Sequence, residues 1–145
     1  MTNVRYAGLL VYLAAAAVTD IRKREVSVKA AGIAAVLAVA LRMAAGETNL
    51  LSWMACLLPG ILVLLIGKAT GEAIGYGDGI AILVCGMFLG AGGCTGCVIF
   101  GLFLTFPVSL ILLLRKKADR KSRMPFLPFL LVGYGIWFLT GLKIR

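Results

Sequence analysis

The sequence predicts an all-α bundle of transmembrane helices, and three observations carry that prediction. Of its 145 residues, 61% are hydrophobic and 14% are charged, against about 25% charged in a typical soluble domain. The apolar residues gather in long runs without strand-like alternation, which suits helices and argues against a barrel. The Lys and Arg residues gather between those runs, the arrangement that orients helices across a membrane. Helices are also the state in which a chain facing lipid satisfies its own backbone hydrogen bonds.

Six apolar segments can be read, at residues 4–19, 30–45, 50–66, 80–93, 95–114 and 125–142. About 20 residues of helix are needed to cross a bilayer core. The first and fourth runs fall short and are flanked by Asp20 and Asp78. If those helices extend to full length, both aspartates lie at or just inside the membrane boundary. In the fourth segment, Gly86 and Gly90 have a G-x-x-x-G spacing, which favours close helix packing within the chain. No polar stretch is long enough for a second domain, so residues 1–145 are read as a single membrane-embedded domain.

The net charge of +9 might suggest nucleic acid, but its distribution indicates topology instead. Eleven of the fifteen basic residues lie in the loops after segments one, three and five: Arg22, Lys23, Arg24, Lys29, Lys68, Arg115, Lys116, Lys117, Arg120, Lys121 and Arg123. Arg5, Arg42, Lys143 and Arg145 fall on the other side. The positive-inside rule makes the odd loops cytoplasmic and puts both termini outside. The expected partner is thus the lipid bilayer of the cell membrane, with no nucleic acid. The first segment could serve as the core of a signal peptide. The basic cluster that follows it argues against cleavage and for a retained span.

The four cysteines, Cys56, Cys85, Cys94 and Cys97, read as small buried thiols in the reduced state. Three lie in apolar runs, and Cys94 is expected in a Gly-rich turn. The lone C-x-x-C falls short of the four ligands a structural zinc site needs, and the chain contains no His. No metal and no organic cofactor are expected.

Without His, the usual hydrolytic triads are excluded, which leaves carboxylates as the plausible machinery. The chain has six: Asp20, Glu25, Glu47, Glu72, Asp78 and Asp119. Asp20 ends the first segment and Asp78 precedes the fourth, so the topology above puts both on the cytoplasmic side. Two carboxylates that share one proton can work as acid and base on a water molecule. The stretch Gly75-Tyr76-Gly77-Asp78-Gly79 gives flexible backbone beside the second carboxylate, with room for another strand to approach. The plainer reading of both aspartates is helix capping, or ion pairing for Asp20 beside Arg22, Lys23 and Arg24.

Three blocks resemble the type IV prepilin peptidase family, membrane aspartyl proteases of the Gly-x-Gly-Asp class. They are Thr19-Asp20 with the basic run after it; Gly75-Tyr76-Gly77-Asp78 with Gly86 and Leu89-Gly90; and Met124-Pro125-Phe126-Leu127-Pro128-Phe129-Leu130 with Gly133. The likeness covers essentially the whole chain. It implies that Asp20 and Asp78 are catalytic, that Gly75 and Gly77 form the active-site loop, and that the substrate is a pilin-like preprotein with a short basic leader. Cleavage would be cytoplasmic, typically after a Gly. Larger members carry an N-terminal region linked to methylation, and the resemblance here is to the short form without it. The chain departs from the family pattern at Val26-Ser27-Val28, where Ile-Pro-Asn is usual, and at Ile80, where Lys is usual. Two rival readings stay open: a small proton- or cation-coupled transporter component with the same aspartates as its ion sites, and a catalytically silent relative.

Overall fold

The structure is a computed structural model that describes residues 2–23, 26–69, 75–114 and 126–140. The basic run at 115–123, with Asp119, lies outside the described residues. So do Arg24, Glu25, Glu72, Met124, Pro125, Lys143 and Arg145.

The described residues form five helices and no strand: α1 (Thr2–Lys23), α2 (Val28–Ala44), α3 (Leu50–Ala69), α4 (Tyr76–Leu114) and α5 (Leu127–Leu139). Local chemistry sets several of their ends. Ser27 caps α2, its hydroxyl accepting from the Ala30 N–H. Asn49 Oδ1 accepts from Leu51 N at 3.0 Å, at the start of α3. Pro128 lies in the first turn of α5, where a missing N–H does no harm.

Asp20 falls within α1 and Asp78 within the first turn of α4, because both helices run past the apolar segments read from the sequence. Among the described residues, three stretches are long and apolar enough to cross a membrane: Asn3–Arg22, Leu50–Ala69 and Tyr76–Ile111. The outer surface is also apolar, with Ile33, Phe103 and Leu139 more than two-thirds exposed. A bundle with a packed interior and an apolar exterior belongs in lipid.

Helix α4 has 39 residues. As a straight rod it would span about 58 Å, nearly twice the hydrocarbon thickness. It instead breaks at Gly90, whose φ of 78° and ψ of 178° are not helical. The Cys94 thiol lies 3.4 Å from the Ile82 carbonyl, although twelve helical residues would separate them by about 18 Å. The chain therefore folds back at Gly90, and its arms, 76–89 and 91–114, supply the fourth and fifth of the six expected segments. The break comes at Gly90, earlier than the expected boundary at 93–95, because Gly90 holds the positive φ. Two readings change accordingly. Gly90 is a hinge, not half of a packing motif. Cys94 lies in a helix and is fully buried, not in a turn. All four cysteines are free and buried.

Helix α4 packs on every other helix. Its contact with α3 is close because a side chain is absent at Gly86: a Cβ there would overlap the Cys56 carbonyl oxygen. Across the contact with α5, Gly133 lies against the backbone of Cys97 and Gly101. Lipid supplies no hydrophobic drive for helix association, so such backbone approach carries much of the packing. Gly86→Val should destabilise the bundle by about 3 kcal/mol. Gly32→Ala, facing open space in α2, should change stability by less than about 1 kcal/mol. Thermal unfolding in detergent checks both.

Candidate active site

The helices alternate in direction, so one end of the bundle collects the end of α1 and the starts of α2, α4's first arm and α5. Asp20 is 7% exposed, and its Oδ2 accepts a 3.3 Å hydrogen bond from Leu127 N. That donor opens α5, whose N-cap residue Phe126 has no side-chain cap of its own. The first N–H groups of a helix lack partners within the helix, and Asp20 supplies one across 107 residues of sequence. Asp20 thus caps a helix, and that helix is α5 and not its own. Neighbouring Thr19 turns away and donates to Ala16 O at 2.9 Å. Among the described residues, which include Arg22, Asp20 forms no ion pair.

Asp78 is half-buried, and its N–H donates to the Gly75 carbonyl at 3.0 Å. Its carboxylate folds back over Gly75, so that a Cβ there would lie 3.5 Å from Oδ2. Asp20 lies near the end of α1 and Asp78 opens α4, so these two carboxylates, 58 residues apart in sequence, lie at the same end of the bundle. The glycines around Asp78 are needed for space. A Cβ on Gly77 would lie 2.5 Å from Val26 Cγ2, and one on Gly79 would lie 2.5 Å from Leu64 Cδ2. The turn is thereby pressed between the start of α2 and the side of α3.

The sequence of α1 through the second arm of α4 matches a known family profile, that of the type IV leader peptidase family, over residues 7–114. The chain belongs to the type IV leader peptidase family. It is thus an integral membrane protein of a peptidase family, and the matched region includes Asp20, Gly75, Gly77 and Asp78. No curated protein and no solved structure matches the chain.

Two contributors to this site had no signal in the sequence. Leu127 contributes only its backbone N–H. Val26 lies in the stretch that departs from the usual family pattern, and it is the wall against which Gly77 packs. Gly79→Ala should cost about 2 kcal/mol through overlap with Leu64. In a Leu64→Ala background the same change should cost at least ~1 kcal/mol less. A double-mutant cycle of thermal stability tests this, and additive effects would contradict the packing described.

Proposed function

We propose that this member of the family is an aspartyl endopeptidase that removes the short basic leader of pilin-like preproteins, with Asp20 and Asp78 as its catalytic pair. What supports this reading is that Asp20, at the end of α1, and Asp78, in the first turn of α4, lie at one end of the bundle on separate helices. Two like charges in close proximity resist joint ionisation, which suits a pair sharing one proton.

In the proposed reaction the ionised carboxylate takes a proton from water as its oxygen attacks the scissile carbonyl carbon. The protonated partner donates to the carbonyl oxygen, giving a neutral gem-diol. On collapse the C–N bond breaks, and the amine takes the proton first removed from water. A gem-diol hydroxyl returns its proton to the other aspartate, which restores the pair. Leu127 N–H fixes the orientation of Asp20, and Gly77 lets the turn before Asp78 pack against Val26.

The proposal includes an orientation. Arg22, Lys29 and Lys68 flank the aspartate end, and the positive-inside rule would put that end in the cytoplasm with both termini outside. The whole chain, 1–145, would act as one membrane-embedded unit.

The test is co-expression with a panel of pilin-like preproteins, with the new N-terminus found by mass spectrometry. The chain should process its substrate at one leader boundary. Asp20→Asn and Asp78→Asn should each slow processing by at least ~100-fold while leaving the protein in the membrane. Processing that survives both changes would refute the aspartyl mechanism.

A further inference from the structure

The opposite end of the bundle holds a second cluster of charge. Arg5 and Asp20 lie fifteen residues apart on α1, a rise of about 22 Å, and around Arg5 a cavity of about 300 Å³ opens beside the break in α4. Its lining includes Arg5, Arg42, Glu47, Ser52 and Gly90. Sequence reasoning counted the two arginines as charges outside the membrane, but Arg42 is only 1% exposed.

Arg42 is incompletely satisfied. Nη2 bonds to Glu47 Oε2 at 2.8 Å and to Ser52 Oγ at 3.0 Å. Nε and Nη1 are buried with no hydrogen-bond partner among the described residues. The Trp53 ring lies 4.8 Å from the guanidinium carbon. The Cys56 thiol is beside it, but that thiol donates to the Trp53 carbonyl and is a weak acceptor. Buried polar groups are nearly always paired, so three guanidinium N–H groups here lack a partner of adequate strength.

The charges are unbalanced as well. Glu47 is the one acid in the cavity lining, and it bridges both arginines, meeting Arg5 Nη1 through Oε1 and Arg42 Nη2 through Oε2. One positive charge is left over in a largely apolar setting, where unpaired charge is costly. Arg5 is otherwise engaged at the Phe88 carbonyl, at 2.9 and 3.2 Å. Ser52 accepts from Arg42, which leaves its own O–H free to donate.

We propose that this cavity is a binding site for a phosphate group carrying one negative charge, either the phosphodiester of an anionic phospholipid headgroup or free inorganic phosphate. The excess positive charge beside the cavity attracts such a group, and the Ser52 hydroxyl can donate to one of its oxygens. Gly90 borders the cavity, and a Cβ there would meet nothing within 4 Å, so the hinge leaves space for the ligand. Arg5 stands two residues inside the Asn3–Arg22 span, near the depth of lipid phosphates.

The experiment uses the full chain purified in detergent. Native mass spectrometry measures retention of phosphatidylglycerol against phosphatidylcholine, and thermal shift follows a titration with inorganic phosphate. Loss of the Arg42 charge should weaken binding by about 10-fold or more, which Arg42→Gln tests. Ser52→Ala should weaken it about 5-fold and serves as the readout if Arg42→Gln fails to fold. Selective retention of phosphatidylglycerol with no phosphate shift identifies a lipid headgroup. A phosphate shift without lipid selectivity identifies the free ion. Equal retention of both lipids with no phosphate shift, or binding unchanged by Ser52→Ala in folded protein, overturns the proposal.

Discussion

A helix start and a helix break lie inside this bundle, and each takes a hydrogen-bond partner from an opposite end of α1. The N–H that opens α5 is satisfied by Asp20. The Phe88 carbonyl, beside the break at Gly90, is satisfied by Arg5. Neither group can turn to water without leaving the packed interior, and an unpaired backbone group in lipid costs several kcal/mol. The need to satisfy backbone at these two points therefore sets where the buried charges of α1 must lie. An acid sits at one end and a base at the other.

The acidic end then acquires a second constraint. Asp78 follows a tight turn whose glycines are pressed by Val26 and Leu64, so its backbone has little freedom to carry it away from Asp20. Capping holds Asp20, and packing holds Asp78, at this end of the bundle, and the proposed reaction calls on these two carboxyls to share a proton. At the basic end the fold-back of α4 does similar work, gathering Arg5, Arg42 and Glu47 around Gly90. In both places glycine allows backbone to approach charge.

Much of this was legible in the sequence. Helical class, the segment pattern and the family likeness follow from apolar runs, loop charges and three short blocks, and the family match over residues 7–114 agrees with that likeness. Asp20 and Asp78 stood out because acids are few and these two flank apolar runs. What the sequence did not disclose depends on distance along the chain. Capping of α5 by Asp20 joins a side chain to a backbone N–H 107 residues away, which leaves no local motif. The hinge at Gly90 is one of several glycines in the same stretch, and only φ distinguishes it. Arg42 ends a helix next to a loop and looks like a surface charge. Its burial follows from Glu47 in the loop, and from Ser52 and Trp53 at the start of the next helix.

The central claim is that Asp20 and Asp78 occupy one site, and covalent trapping tests it most directly. Asp20→Cys and Asp78→Cys would be combined, and the membranes treated with a mild oxidant or a short bifunctional thiol reagent. The four native thiols are buried and so shielded. Met43 and Met54 lie between the two positions, so cyanogen bromide separates them unless they are joined. The account predicts that the fragments bearing residues 20 and 78 stay linked, in protein that elutes as folded. Folded protein in which both thiols react but the fragments always separate would contradict it.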